Sequence, residues 1–260
     1  MPDLRNWDSS APLVIAHRGA SKYAPENTFA AFDLAIEMGA DAIELDTMLI
    51  GDGTPVVIHD QTLGRTTDGS GSISSKRIEE LRSLDAGSIF DSRFAGEKIP
   101  TLEEVFTAIG NKILINVELK NIASPFDRLP EIVVGLVREC GLSDRVLLSS
   151  FNPIALIKAH RAGPEIRRAA LIGGGPKYVR GLIEAFTDYT SVHPEVSLVN
   201  QGTVKNYHAA GLKVNVWTVN DQADMMELLS IGVDGLITDA PDIANKVIEA
   251  RGRETAKNVN

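Results

Sequence analysis

The chain has 260 residues, of which 43% are hydrophobic and 23% charged, and its formal net charge at pH 7 is −9. This composition is typical of a globular protein with a large core. The acidic balance, without a basic run longer than two residues, argues against binding to nucleic acid or to an anionic membrane.

The sequence also bears on the compartment. Cys140 is the only cysteine, so no intrachain disulfide can form, as is typical of a reducing compartment. Residues 1–12 contain no apolar stretch of signal-peptide length, and no later segment approaches about 20 apolar residues. We therefore expect a cytoplasmic protein without a membrane anchor. The sequence leaves the oligomeric state open.

Eight short runs rich in Val, Ile and Leu alternate with amphipathic stretches that end in glycine. Near-continuous apolar runs are typical of parallel strands covered on both faces. Eight alternations without a Gly-rich dinucleotide loop predict an α/β fold, a (β/α)₈ TIM barrel, in one domain over residues 1–260 with a small cap inserted at about 60–100. The runs are 13–16, 42–45, 113–119, 146–151, 169–172, 191–196, 213–219 and 235–238.

Several helices carry start and stop signals. Thr101 and Glu104 have the spacing of a capping box at a helix start. Asn152 is a predicted N-cap, and Asn220 is predicted to cap a helix that ends at Gly232.

A hairpin is predicted where the β–α alternation breaks after the second strand. The segment TMLI is followed by a glycine-rich turn at 51–53 and then by PVVIHD. If the second strand continues past the barrel rim and returns antiparallel about residue 52, residue 59 lies opposite residue 45 or 46. This register brings His59 back to the rim beside Asp46.

Three carboxylates fall at the ends of two strands. In such a barrel the reactive groups lie at the C-terminal ends of the strands. Glu44 and Asp46 are two residues apart and share a face, and Glu118 lies on the next barrel strand. Crowded carboxylates raise one another's pKa, and a hard divalent cation, Mg²⁺ or Ca²⁺, relieves that repulsion. No Cys/His cluster has the spacing of a zinc site.

Cationic and imidazole side chains are predicted at the same rim, namely His17, Arg18, His59 and Lys120. Each feature has a structural alternative: a strand-end histidine can be a hydrogen-bonded structural residue, and the carboxylates can form an ion network with Arg18 and Lys120. Three carboxylates, two histidines and two cations converging on one rim favour a functional site.

A series of motifs also resembles a known family. The segments AHRGASKYAPENT, GADAIELD, VVIHDQTLGRTTDGSG, IPTLEE, ELK, VNVWTVN and GVDGLITDAPD occur in order from about residue 14 to residue 242. Together they resemble the signature of glycerophosphodiester phosphodiesterases. HRG or ELK alone is a weak signal, whereas the ordered series is specific.

The resemblance implies roles for nine residues. It implies His17 and His59 as the general acid–base pair, and it implies Glu44, Asp46 and Glu118 as ligands of one divalent cation. Arg18 and Lys120 are then expected to contact the phosphate. Phe151 and Trp217 resemble aromatic residues that line the family's substrate pocket, although core filling explains an aromatic strand residue nearly as well.

The resemblance further implies metal-dependent hydrolysis of small glycerophosphodiesters to an alcohol and sn-glycerol 3-phosphate. The alternatives are a phosphodiesterase for lysophospholipids or other diesters and a non-catalytic barrel that binds such ligands. The sequence leaves open the cation, the leaving alcohol, which histidine is the acid, and whether water attacks directly or after a cyclic phosphate forms. Glu26 and Asn27 are interpreted as helix-start residues or as a brace of the loop after the first strand. Asp60 either orients a neighbouring histidine or caps a turn, and Asp239 is interpreted as a turn residue.

Overall fold

The computed structural model describes residues 6–174 and 189–257, without the side chains of 254–257. Within these residues nine strands form one sheet. The strands are β1 (Leu13–His17), β2 (Ala42–Leu49), β3 (Pro55–Val57), β4 (Leu114–Leu119), β5 (Val146–Ser150), β6 (Arg167–Ile172), β7 (Ser191–Pro194), β8 (Lys213–Val216) and β9 (Gly235–Thr238).

Eight of these strands close into a parallel barrel. The order runs β1-β9-β8-β7-β6-β5-β4-β2, and β1 also pairs with β2, which joins the two ends. Each apolar run predicted as a strand is found as one, including the weak run near residue 191. The predicted (β/α)₈ barrel is therefore confirmed.

Two helices begin where the sequence places their caps. Thr101 and Glu104 form a capping box at the start of α3 (Leu102–Ile109), and the Asn152 side chain accepts from the Ile154 amide at the start of α5 (Pro153–Ala162). The described helices are α1 (Phe29–Glu37), α2 (Ile78–Arg82), α3 (Leu102–Ile109), α4 (Leu129–Glu139), α5 (Pro153–Ala162), α6 (Gln201–Ala209), α7 (Gln222–Ser230) and α8 (Pro241–Lys257).

One predicted cap is wrong. The N-cap of α7 is Asp221, whose carboxylate accepts from the amides of Ala223 and Asp224. Asn220 instead binds the end of β9, because its Oδ1 accepts from the Asp239 amide at 2.9 Å. Two adjacent polar residues satisfy the same cap pattern, and the partner across the barrel rim decides between them.

The predicted hairpin is confirmed, with its predicted register. β3 returns antiparallel to β2, and Thr47 pairs with Val57. The next contact is the Ile58 amide donating to the Asp46 carbonyl at 3.0 Å. Continuing the register puts His59 opposite Leu45, so the histidine reaches the barrel rim as expected.

The chain between β3 and α3 forms a small cap with its own apolar cluster. Short 3₁₀ helices at Leu63–Arg65, Ile73–Ser75 and Ser92–Phe94 accompany α2. Leu63, Ile73 and Leu81 pack against the outer part of the hairpin. The cap is thereby anchored to the rim that carries His59. None of the described helices is both long and apolar enough to cross a bilayer.

Candidate active site

The three carboxylates meet at the C-terminal rim of the barrel. β2 pairs in parallel with β4, and the register places Asp46 beside Glu118. One oxygen from each of Glu44, Asp46 and Glu118 lies within 4.8 Å of the others. Glu44 and Asp46 are buried and Glu118 is nearly so, which makes their mutual repulsion costly without a cation.

Burial and mutual repulsion separate the pKa values of these groups. Burial, followed by the charge of Asp46, raises the pKa of Glu44 to about 7 and that of Glu118 to about 8. Burial also acts to raise the pKa of Asp46, but Arg18 and Lys120 outweigh it and lower this pKa to about 2. Asp46 is therefore the anionic centre of the cluster.

Two cations flank Asp46. The Nε atom of Arg18 lies 3.1 Å from Asp46 Oδ2, and Lys120 Nζ lies 3.3 Å from Asp46 Oδ1. Lys120 also donates to Glu118 at 3.2 Å. Both cations are less than one-fifth exposed and lie beside the carboxylates, where an anionic ligand could reach them.

The donor set fits a hard divalent cation. All three side chains offer carboxylate oxygens, which Mg²⁺ and Ca²⁺ prefer. Within the described part of the chain, Asp46 Oδ1 is buried and accepts no hydrogen bond, so a lone pair stays available for a ligand bond. Burial and the charge of Asp46 raise the pKa of Glu44 and Glu118, and a bound cation would stabilise the charged forms of both side chains.

The carboxylate of Asp239 contacts the imidazole of His17 at Nδ1. The two side chains meet with His17 Nδ1 2.7 Å from Asp239 Oδ1, and Ser21 Oγ donates to the same oxygen at 3.0 Å. Burial lowers the pKa of His17, but the hydrogen bond to Asp239 and the charge of Glu44 outweigh it and raise the pKa overall. The Nδ1 contact leaves Nε2 as the nitrogen available to a ligand.

His59 has a similar partner but the opposite shift. Its Nδ1 lies 2.5 Å from Asp60 Oδ1, and Asp60 in turn accepts from Arg65 Nε. Burial lowers the pKa of His59 despite the charge of Asp46. The charge of Arg18 acts to lower the pKa of both histidines.

The loop after β1 supports the site through two residues with left-handed backbones. Arg18 has φ 55° and Asn27 has φ 59°. Asn27 Nδ2 donates to Asp46 Oδ2 at 2.9 Å, and Arg18 Nη1 donates to Glu26 Oε1 at 3.0 Å. Non-glycine residues in this region are strained, and such strain concentrates at functional sites.

The two aromatic residues meet near the ends of β5 and β8, which they directly follow. Phe151 and Trp217 pack edge to face, with ring centroids 5.5 Å apart, and both are half-buried. Trp217 Nε1 donates to the His193 carbonyl at 2.7 Å, which fixes the indole at the barrel mouth. Both rings follow directly after strand ends, and Trp217 also packs against the buried cluster that contains Ile15 and Ile237.

Comparisons with known proteins agree with this geometry. The family model described as the glycerophosphoryl diester phosphodiesterase family matches residues 17–243. The chain belongs to this family. The matched range includes every residue of the rim described above.

Relatives of the family cover nearly the whole chain. A glycerophosphodiester phosphodiesterase of Caldanaerobacter subterraneus is 41% identical over 92% of this chain and 99% of its own length. One of Bacillus subtilis is 32% identical over 90% of this chain and 86% of its own. An Oleispira antarctica phosphodiesterase, solved in complex with the product sn-glycerol-3-phosphate, has a TM-score of 0.81 and 37% identity, over 92% and 97% of the two chains.

The family resemblance seen in the sequence is confirmed, and the chain is an enzyme of the phosphoric diester hydrolase class. The structure brings the predicted carboxylates, Arg18 and Lys120 together. Sequence reasoning missed Asp239 and Asn27 as direct partners of site residues. Asp239 follows the last residue of β9, so the strand-end rule was the signal that could have found it.

Proposed function

We propose that the enzyme hydrolyses glycerophosphodiesters to an alcohol and sn-glycerol 3-phosphate, with one divalent cation and a pair of histidines. The observation that carries this proposal is that oxygens of Glu44, Asp46 and Glu118 lie within 4.8 Å of one another at the barrel rim. The same rim contains two histidines, each of which contacts a carboxylate through Nδ1. The protein acts as a single barrel domain over residues 1–260, with the cap at about 60–100 beside the site, in the cytoplasm.

Glu44, Asp46 and Glu118 hold the cation in this proposal. When bound, Mg²⁺ or Ca²⁺ polarises a phosphoryl oxygen and offsets the charge that develops during displacement. Arg18 presents a planar fork and Lys120 a point charge to the same phosphate group. A diester phosphate has one negative charge, so these positive groups suffice for it.

His17 and His59 transfer protons on either side of the phosphorus. One imidazole accepts the proton of the attacking oxygen, and the other protonates the alkoxide that leaves. Their pKa values shift in opposite directions, which suits one donor and one acceptor near neutral pH. A barrel that only binds ligands needs no such pair, and this argues against the non-catalytic alternative.

The glycerol side of the substrate is assigned to the aromatic side of the rim. Phe151 and Trp217 offer apolar walls to the carbon chain of glycerol, while its hydroxyls stay in reach of rim polar groups. The support is positional: both rings line the barrel mouth, as substrate-lining residues of such barrels do. Truncation of either ring is expected to raise KM more than it lowers kcat.

The substrate assignment is tested with a coupled glycerol-3-phosphate assay, together with chromatography of substrates and products, which also reports turnover that yields no glycerol 3-phosphate. Purified enzyme with added Mg²⁺ or Ca²⁺ is offered glycerophosphocholine, glycerophosphoethanolamine, a lysophospholipid, a phosphomonoester and a diester without glycerol. We expect glycerol 3-phosphate from the first two and much slower turnover of the others. Equal rates on the diester without glycerol would contradict the assignment.

The proton-transfer pair is tested by substitution. His17→Ala and His59→Ala should each lower kcat by roughly 10²–10⁴, the usual contribution of a general acid or base. Because both act on one reaction step, the double variant should lose far less than the product of the two factors. Multiplicative losses with intact folding would show that the two histidines act independently.

A further inference from the structure

Arg65 connects the inserted cap to the active site through three hydrogen bonds. It is the last residue of the 3₁₀ helix Leu63–Arg65 in the cap. Its Nη1 and Nη2 donate to the two oxygens of Glu26 at 2.8 and 2.7 Å, and its Nε donates to Asp60. One guanidinium therefore binds two carboxylates at once, the first through its terminal nitrogens and the second through Nε.

Glu26 also contacts Arg18, the cation expected to bind the phosphate. Arg18 Nη1 donates to Glu26 Oε1 at 3.0 Å, and the same oxygen accepts from Arg65 Nη2. Burial acts to raise the pKa of Glu26, but the hydrogen bond from Arg65 and the charge of Arg18 outweigh it and lower this pKa. Glu26 is thus an anion shared between two guanidinium groups. Without Arg65, its whole charge would act on Arg18 and compete there with an incoming phosphate.

Asp60 contacts His59, one of the two proposed proton-transfer residues. His59 Nδ1 lies 2.5 Å from Asp60 Oδ1, whereas Arg65 donates to the other oxygen, Oδ2. The hydrogen bond from Arg65 lowers the pKa of Asp60 to about 2. An ionised carboxylate only accepts hydrogen bonds, so Nδ1 of His59 carries the proton in this contact and Nε2 is left for the substrate.

Arg65 reaches the site only through these two carboxylates. Its side chain is 47% exposed. Among the residues that the structure describes, it forms ion pairs with Glu26 and Asp60 but with none of the three carboxylates of the metal site. Its place in the fold is therefore that of a residue that acts on the reaction through its neighbours.

We propose that Arg65 is a positioning residue with two separate effects on the reaction. Through Glu26, it leaves Arg18 available to the phosphate of the substrate. Through Asp60, it holds the ring of His59. The inference rests on the proposed function, which gives Arg18 and His59 these roles. It also gives the inserted cap a part in catalysis, because folding of the cap brings Arg65 to the barrel.

Arg65→Met tests both effects, because it removes every donor and keeps the apolar stem of the side chain. KM for glycerophosphocholine should rise roughly tenfold, since Glu26 then competes for Arg18, and kcat should fall roughly tenfold, since the ring of His59 loses its orientation. Calorimetric titration with glycerol 3-phosphate measures the affinity for the phosphate without turnover. It should show the same roughly tenfold loss.

Two further variants separate the two effects. Arg65→Lys keeps a terminal charge for Glu26 but lacks the Nε that donates to Asp60, so it should recover KM more than kcat. Addition of Glu26→Gln to Arg65→Met removes the competing charge. The double variant should recover most of the loss in KM and in affinity, while kcat stays low. A role of Arg65 in stability alone would give no such recovery.

Arg138→Met is the matched control. Arg138 is 49% exposed and binds both oxygens of Glu165, but it lies on α4 away from these contacts. It should leave KM, kcat and affinity unchanged.

Arg65→Lys also serves alone if Arg65→Met unfolds. Normal KM and kcat in both Arg65 variants overturn the inference, and so does a KM of Arg65→Met that Glu26→Gln fails to recover. Absence of glycerophosphocholine turnover by the intact enzyme contradicts the proposed function instead, and the calorimetric comparison then still decides whether Arg65 acts on phosphate binding.

Discussion

Asp239 shows how a single residue acquires its role from its neighbours. In the sequence it is an acidic residue after a strand and is interpreted as a turn residue. In the structure it contacts His17 Nδ1, while Asn220 Nδ2 donates to its second oxygen at 2.6 Å. Hydrogen bonds to both oxygens fix the carboxylate and, through it, the ring of His17. Asp239 is therefore a positioning residue for His17.

Asp239→Asn is expected to lower kcat by roughly tenfold to a hundredfold with little change in KM, because misorientation of an imidazole affects the reacting state most. The hydrogen bond to Asp239 raises the pKa of His17. Loss of this hydrogen bond should lower the pKa of His17. The limb of the kcat–pH profile that reports the titration of His17 should then move toward lower pH. Steady-state kinetics across pH measure both effects.

Asp234→Asn is the control for that experiment. Asp234 makes a similar contact, 2.7 Å to His208 Nε2, away from the site. It should leave the shape of the kcat–pH profile unchanged. An Asp239→Asn enzyme with a normal profile and a normal kcat would remove Asp239 from the mechanism.

A second prediction for a single residue concerns His193. It is fully buried inside the barrel, where its Nε2 meets Asn215 Nδ2 at 3.0 Å, and burial lowers its pKa to about 3. Between about pH 3 and pH 6.5 the imidazole of His193 is therefore protonated in the unfolded state and neutral in the folded state. The free energy of unfolding should therefore rise with pH through this window, and the contribution of His193 is lost as the pH falls below about 6.5.

The contribution of His193 amounts to about 2 kcal/mol between about pH 7.5 and pH 5. Urea unfolding at both pH values should show this loss in the wild type and a smaller one in His193→Gln, which cannot titrate. If both proteins lose the same free energy of unfolding, other groups cause the acid sensitivity.

Two connecting segments between secondary-structure elements position the site residues. The β1–α1 loop turns sharply at Gly19, which has φ 83°, and a Cβ there would lie 2.7 Å from Ala31 in α1. The β2–β3 turn contains Gly53, with φ 86° and open space around the Cβ position. The loop is thus constrained by backbone angle and by packing, and the turn by backbone angle alone.

Gly19→Ala is expected to lower kcat at least tenfold, because the loop must move and it carries Arg18 and Asn27 to Asp46. Gly53→Ala has a similar backbone angle without the clash. It should cost about 1 kcal/mol of stability and leave kcat nearly unchanged. Steady-state kinetics and urea unfolding of both variants make the comparison. Equal losses of activity would show that backbone angle alone, and not the contact with α1, matters.

Closure of the barrel joins the carboxylates to His17. Glu44 and Glu118 lie on different strands, and closure between β1 and β2 brings His17 beside Glu44 in register. A cation that binds this assembled site stabilises the folded state by mass action, about 2.7 kcal/mol at a hundredfold excess over Kd.

Chelation is therefore expected to abolish activity and lower Tm, and added Mg²⁺ or Ca²⁺ should restore both. Protons compete for Glu44 and Glu118, whose pKa values are about 7 and 8, so cation binding should strengthen as pH rises from 6 to 9. Glu118→Gln should lose the Tm response. Full activity in EDTA, after exhaustive removal of metal, would contradict a metal-dependent mechanism.

The sequence by itself determined the barrel, the hairpin register and the carboxylate pairs. Strand runs and caps are local signals, and the two-residue period of a strand places Glu44 with Asp46 on one face without further information. The hairpin register follows from the position of its turn, which is why His59 was located correctly.

Only the tertiary structure decided the partners that cross the barrel. Asp239 reaches His17 from 222 residues away, and Arg65 reaches Glu26 across 39 residues. Hydrogen bonds between side chains depend on distances of a few tenths of an ångström, which no periodicity encodes. Glu26 and Arg65 come from separate loops, which meet only when the inserted cap is folded onto the barrel.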